Sequence, residues 1–227
     1  MSKKLIIYGI GETAQIAFEY FTYDSAYEVV AFSADKEYIM SSVLFGLPVI
    51  PFETIEENYS PKQFHMFAAA TYNQLNRVRE LMYHKAKKKG YKLANYISSK
   101  AFVWHNVKLG ENVMIFENNV IQHQCEIGNN VVLWSGNHIG HQTKIADHAY
   151  LSSHCVISGF CEIGKHSFLG VNCTFNNNIS IADDTLISSG ALIVKNNEKK
   201  GALLIGSPAR VASKTSYEAF NVKEELI

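Results

Sequence analysis

Three histidines, His105, His123 and His141, follow one another at intervals of 18 residues. An imidazole has an unperturbed pKa near ~6.5, so it can take a proton from an amine or a hydroxyl at neutral pH. The same interval continues to Gly159 and Asn177, and a second pair, His148 and His166, repeats it. Near the start of the chain, Gly9-Ile10-Gly11-Glu12-Thr13-Ala14 has the G-x-G-x-x-A form of a phosphate- or nucleotide-binding turn. Asp35 lies 21 residues beyond Ala14, where an acidic group commonly meets a ribose hydroxyl. Glu12 sets a negative charge where phosphates approach, which argues against direct cradling of a pyrophosphate. The turn is therefore read as docking a nucleotide-linked small molecule rather than NAD.

What must position these groups is legible in a second pattern. From Ile97 to Ile193 every sixth residue is a large apolar side chain, without a slip. A helix repeats near 3.6 and a strand at 2, so a strict six points to a hexapeptide β-helix. Each hexad is one flat side of a coil. With three sides per coil, residues 18 apart stack in one file about 4.8 Å apart. Four residues after each anchor the side chains are small or modest, among them Val113, Val131, Ala149 and Ser167. All four cysteines, Cys125, Cys155, Cys161 and Cys173, fall on this position. They are read as packed free thiols, because a thiol in an apolar core stays protonated. Asn119 and Asn137 break the apolar pattern and are expected to bond backbone groups inside the coil. The histidine file at the third hexad position is expected on the outside.

The first ninety-odd residues read differently. Strands are expected at Lys4 to Tyr8, Glu28 to Phe32, Leu47 to Ile50 (an edge), Phe64 to Ala70 and Lys92 to Ile97. Helices are expected at Ala14 to Phe21 and Asn73 to Lys89. Alternating β and α elements imply a small parallel sheet with helices on its faces. The domains expected are residues 1–97, 98–210 and a C-terminal tail, 211–227, helical from Lys214.

Lysine plus arginine equals aspartate plus glutamate, 21 each, so no basic excess suggests nucleic acid or an acidic membrane surface. No apolar run approaches the roughly 20 residues of a membrane span. The compartment expected is the cytoplasm. No paired CxxC suggests zinc.

These motifs together resemble the bacterial sugar O-/N-acyltransferases of the left-handed β-helix type with an N-terminal Rossmann-like domain, the PglD/NeuD-like group. The resemblance is carried by Gly9-Ile10-Gly11, the hexapeptide repeat, Ile139-Gly140-His141-Gln142, Ile163 to Gly170, Ile181-Ala182-Asp183-Asp184, and Gly206-Ser207-Pro208-Ala209-Arg210. It implies an acetyl-CoA-dependent N-acetyltransferase acting on a nucleotide-linked amino sugar in glycan biosynthesis, without a metal. An O-acetyltransferase on a sialic-acid-type hydroxyl is the alternative. It implies His141 as general base and a backbone N–H of Gly159 on the thioester carbonyl. It further implies a homotrimer with acetyl-CoA between prisms, and Gly206, Pro208, Ala209 and Arg210 beside the CoA nucleotide. Gly9, Gly11 and Asp35 match the nucleotide-sugar region, with His123 assigned to the substrate. Where several family members carry an acid after the histidine, this chain has Gln142, which can orient the ring but not raise its basicity. Asp147 is the substitute acid considered.

Overall fold

The structure, a computed structural model, describes residues 3–227. Its N-terminal part is an open α/β sheet of β1 (Lys3–Tyr8), β2 (Tyr27–Ala34), β3 (Val43–Leu44), β4 (Leu47–Pro51), β5 (His65–Ala68) and β6 (Lys92–Leu93). The strand order is β3-β4-β2-β1-β5-β6, parallel except for the β3–β4 hairpin. That hairpin covers β4, so the strand expected at the edge is internal. Period-2 alternation sorts β1 between two layers. Leu5 and Ile7 pack with Ala14, Ala17 and Phe21 of α1 (Glu12–Tyr23). Ile6 and Tyr8 pack with Tyr83 and Ala86 of α2 (Arg77–Lys88). The α2 helix starts four residues later than expected, because Gln74, Leu75 and Asn76 adopt positive φ and cannot belong to a right-handed helix.

From Tyr96 onward the chain winds a three-sided prism of parallel strand pairs. Its first face stacks Tyr96–Ile97, Met114–Ile115, Val132–Leu133, Tyr150–Leu151, Phe168–Leu169 and Leu186–Ile187. The second runs from Phe102–Val103 through His138–Ile139 to Leu192–Ile193, and the third from Lys108–Leu109 to Ser180–Ile181. This arrangement fits a left-handed β-helix. The stretch expected as one strand, Lys92 to Ile97, is split: Lys92–Leu93 closes the α/β sheet and Tyr96–Ile97 opens the prism.

The core is built as the hexads require. Ile115, Ile121, Leu133, Ile139, Leu151, Ile157 and Leu169 are fully buried, with all four cysteines beside them. Removing each large anchor from water stabilises the prism by about 1.5–3 kcal/mol. Asn119 donates to the carbonyls of Phe116 and Trp134, and Asn137 accepts the N–H of Cys155. The fourth hexad position is left-handed all along the prism, with φ of 55–63° from Asn112 and Gln142 to Asp184 and glycine at 136 and 190. Asn, Asp, His and Gly dominate there because αL is open to Gly and tolerated by short polar side chains.

The two parts are joined along the first face. The residue before each anchor points outward, and on this face it is apolar: Tyr96, Met114, Val132, Tyr150, Phe168. These side chains pack with the α1 side of the sheet in one cluster, with Phe116 stacked on Trp134 at 4.4 Å. On the third face the equivalent residues are Lys108, Glu126, Lys144 and Glu162, and Lys108 bonds Glu126 at 3.0 Å in solvent. The last coil ends in a hairpin, Leu203–Ile205 against Arg210–Val211. The tail then makes a single helical turn, α3 (Ser216–Ala219), started by a Thr215/Glu218 capping box. It folds back onto the N-terminal part: Arg77 donates to the Leu226 carbonyl and the Lys223 N–H to Gln74. No helix among the described residues is long and apolar enough to cross a membrane.

Candidate active site

His141 sits at the corner between the second and third faces, just after the strand His138–Ile139. Its backbone N–H donates to Gln122 Oε1 at 2.9 Å, which fixes the main chain at the corner. The imidazole is held on three sides. His123, one coil earlier, stacks on it with centroids 5.4 Å apart and planes 10° apart. Phe160 meets it edge-on at 4.9 Å. On the following coil lies Gly159, where a β-carbon would stand 2.6 Å from His141 Cε1 and 2.7 Å from Nε2. Only glycine leaves room for the ring there. His141 Nδ1 is buried without a hydrogen-bond partner among the described residues.

His123 and His141 therefore stack as the 18-residue spacing requires, while the His105 ring tilts against Trp104, and positions 141 and 159 meet on successive coils. Two details differ from expectation. The Gly159 N–H is not free: it donates to Asn177 Oδ1 at 2.9 Å. This is a corner-closing bond repeated elsewhere, where a side chain one coil later accepts the N–H of residue 111, 129 or 165. An exposed asparagine thus occupies the donor expected for a thioester oxygen. Asp147, the substitute acid, lies at the next corner, where it accepts the Asn129 N–H at 2.7 Å. Gln142 is exposed at the αL position and its N–H donates to the His123 carbonyl. It lines an open groove of about 690 Å³ with Gln124, Lys144, Phe160 and Glu162.

The N-terminal candidates lie elsewhere. Gly9 adopts φ +137°, and a β-carbon there would stand 2.3 Å from the Ala69 carbonyl oxygen, so glycine lets the ends of β1 and β5 close up. Gly11 is the exposed N-cap of α1, with nothing near its missing β-carbon. Asp35 is already engaged: Tyr8 Oη donates to one carboxylate oxygen at 2.5 Å and Lys85 Nζ to the other at 2.6 Å. Burial works against its charge, but these bonds outweigh it and lower its pKa. In this structure Asp35 ties β2 to α2, in place of the free ribose acceptor expected. Gly206, Pro208, Ala209 and Arg210 form the terminal hairpin turn, where the Leu192 N–H donates to the Gly206 carbonyl. That turn is four coils beyond His141, roughly 19 Å along the prism axis.

The α/β sheet covers the first face, and His141 occupies the corner opposite that face. One chain therefore presents its glycine turn and its imidazole on different sides of the prism. The sequence carries a signal for this. At 18-residue intervals, the residue before the anchor is apolar on one face (Tyr96, Met114, Val132, Tyr150) and charged on another (Lys108, Glu126, Lys144).

A second cluster went unassigned from sequence. His148 and His166 stack at the corner between the third and first faces, 5.2 Å apart, against Glu80 of α2. Glu80 falls in a helix that the sequence marks only as basic, so spacing gave no warning of it.

Comparison with known proteins follows this geometry. The bacterial transferase hexapeptide family (six repeats) matches residues 106–141 and 125–159. No curated protein sequence matches significantly. Among solved structures, a mutant of perosamine N-acetyltransferase from Caulobacter crescentus, in complex with CoA and GDP-perosamine, superposes with a TM-score of 0.82 at 23% identity, covering 93% of this chain and 97% of that one. The acetyltransferase domain of PglB from Neisseria gonorrhoeae gives 0.81 at 23%, covering 93% and 100%. WeeI from Acinetobacter baumannii gives 0.78 at 18%, covering 92% and 99%. The resemblance read from the sequence is borne out: over nearly its whole length the chain has the fold of these solved proteins, two of which are named as acetyltransferases.

Proposed function

We propose that this protein is an acetyl-CoA-dependent N-acetyltransferase acting on the amino group of a nucleotide-linked aminodeoxy sugar. The observation that carries the reading is the His141 imidazole lying over the bare backbone of Gly159 at an outer corner of the prism. Solved relatives of the same fold, which hold CoA and a nucleotide amino sugar, supply the substrate classes. An ammonium has no lone pair, so the amine loses a proton to His141 before or as its nitrogen attacks the thioester carbonyl. The C–N bond forms, the tetrahedral oxyanion collapses, and the C–S bond breaks; the second proton of the amine passes to the departing sulfur, which leaves as the CoA thiol. No covalent enzyme intermediate is needed. A backbone donor at the oxyanion contributes about 3–4 kcal/mol or less. For Gly159 to be that donor, the exposed Asn177 amide exchanges its place for the thioester oxygen. His123, stacked beneath His141, and Gln142 border the same position.

The N-terminal unit is read as Rossmann-like, with Gly9 and Gly11 at the carboxyl ends of its strands holding the nucleotide. The hairpin Gly206 to Arg210 is assigned to the CoA nucleotide. Since glycine turn and imidazole of one chain face apart, substrate and base meet only between chains. This supports the homotrimer, in which the unpartnered His141 Nδ1 also comes within reach of a neighbouring chain.

The test is acyl transfer from acetyl-CoA to UDP-, dTDP- and GDP-linked amino sugars, with His141→Ala alongside. Turnover should fall by about 10²–10⁴-fold, the range of a lost general base, with an unchanged circular dichroism spectrum. Near-normal turnover in the variant removes His141 from the mechanism. An acetyl ester in place of an amide moves the reading to a hydroxyl substrate.

A further inference from the structure

The corner between the third and first faces carries one polar side chain per coil: Asn112, Asn130, His148, His166 and Asp184, all at the αL position. Asn112, Asn130, His148 and Asp184 are buried, and His166 nearly so. Their hydrogen bonds run in one direction, and that direction is fixed at its start. The Ala68 N–H donates to Asn112 Oδ1 at 2.8 Å, and Asn112 Nδ2 donates to the Ala68 carbonyl at 3.0 Å. The Asn112 amide cannot be turned over without losing both bonds. Asn112 Nδ2 also donates to Asn130 Oδ1 at 2.8 Å. Asn130 must therefore present its Nδ2 to His148 Nδ1, 2.9 Å away. That nitrogen is an acceptor, so His148 is the neutral tautomer with its proton on Nε2, directed at Glu80 Oε1 at 3.4 Å.

His166 stands in the opposite situation. Its Nδ1 is 3.1 Å from Asp184 Oδ1 and its Nε2 is 3.1 Å from Glu80 Oε2. A neutral ring would turn a lone pair toward one of these carboxylates. Both nitrogens are donors only in the imidazolium.

The surroundings agree on charge. From α2 the ring meets Glu80, with His84 beyond it at 3.7 Å from Glu80. On the prism side it meets His148, with Asp147 next to that residue, and Asp184. Asp184 is shared with Arg77 of α2 at 2.8 Å, Lys200 at 3.3 Å and Tyr217 of α3 at 2.8 Å. Burial disfavours a charged His166, but its bonds to Asp184 and Glu80 outweigh burial and raise its pKa. Burial and the neighbouring charge of His166 act together to lower that of His148.

We propose that His166 is a positioning residue, an imidazolium pin shared by Glu80 of the N-terminal part and Asp184 of the prism, which sets the height of the glycine turn on the prism. The link to the turn is short. The file ends on Ala68, and the carbonyl of the next residue, Ala69, is the group that closes over Gly9. Glu80, His148 and His166 do bring ligand atoms within 4.8 Å of one another, as a divalent ion would require. The hydrogen-bond direction excludes that use in this arrangement: His148 Nε2 carries a proton and His166 has no lone pair.

The consequence for the substrate rests on the proposed function, whereas the pin itself is read without it. In ¹⁵N-histidine NMR of the wild-type protein, His166 should show two protonated ring nitrogens at pH 7 and keep them above the ordinary histidine range near ~6.5. His148 should stay a neutral Nε2–H ring. A neutral His166 at pH 7, or one zinc ion per chain surviving gel filtration, overturns the proposal. In His166→Gln and Glu80→Gln, amide exchange of α2 should quicken about tenfold relative to the prism core. Unchanged exchange in both variants counts against the pin. Should neither variant fold, wild-type exchange decides: protection of α2 should be lost as pH rises through the His166 transition, and a pH-independent profile overturns the idea. With an active substrate, KM for the nucleotide sugar should rise while KM for acetyl-CoA holds; equal rises in both sink the positioning role. If the wild-type enzyme acetylates no nucleotide sugar, the proposed function fails while NMR and exchange still judge the pin.

Discussion

At the scale of single residues, the site is defined by what is missing as much as by what is present. Gly159 has no β-carbon, and that absence seats the His141 ring. Gly159→Ala should push the ring aside and lower kcat on the order of 10²-fold, the penalty of an ångström-scale misplacement. Thermal stability should change little by comparison, because φ at 159 is not left-handed. A variant with full kcat would show that the ring tolerates displacement. Gln142 bears on a different property, since it is an amide where a carboxylate would favour the charged form of a neighbouring imidazole. Gln142→Glu should move the acidic limb of the kcat/KM profile upward by about one pH unit. An unmoved limb means that side chain does not face the base. The corner that carries the proposed base was legible in the sequence, because a histidine 18 residues from both another histidine and a glycine is a statement about one corner. The Asn177 bond to Gly159 was not legible, because an asparagine at that position reads equally as solvent-facing.

At the scale of elements, the seam between α1 and the first coil is a hinge of hydrogen bonds on a single carboxylate. Asp24, which caps the end of α1, accepts from Tyr96 Oη at 2.7 Å, Ser98 Oγ at 3.2 Å and the Ser99 N–H at 3.0 Å. Bonds from Ser99 and Tyr96 draw its pKa down to about 2. A depressed carboxylate stabilises the fold above its unfolded pKa of about 3.9 and loses that contribution as pH falls through the folded value. Wild-type stability should therefore drop between about pH 4 and about 2, and Asp24→Asn should be less stable at pH 7 but show a shallower drop in that window. Thermal melts across the acid range check this, and parallel curves would dismiss the contribution. Elements are legible in the sequence where one periodicity rules. The hexads mark the prism, and the strand Tyr96–Ile97 is not separable from Lys92–Leu93 in the sequence because the α/β sheet and the prism meet there with only two residues between their strands. Helix α2 is shorter than its sequence pattern because Gln74 to Asn76 take positive φ, which helix propensity does not record.

At the scale of the whole molecule, the question is which chain serves which. The α/β sheet rests on the first face and His141 points from the opposite corner. A base-deficient chain and a nucleotide-deficient chain should therefore repair one another. Gly11→Asp suits the second role, because aspartate is a good N-cap, the site has open space, and its charge repels a phosphate. Mixed refolding of His141→Ala with Gly11→Asp should restore a substantial share of the activity that each lacks alone, in particles of three chains by light scattering. Absence of any recovery would place base and nucleotide in the same chain.

The sequence alone determined the prism, its core, the file that carries His141, and the α/β unit ahead of it. These follow from short-range rules: a period of six dictates which side chains turn inward, and 18 residues bring a side chain back above itself. Tertiary structure decided which face the α/β unit covers, that Asp35 is spent on Tyr8 and Lys85, and that Glu80 joins His148 and His166. Each of these depends on contacts between segments far apart in the chain, where no local spacing records the partner and only the packed surfaces select it.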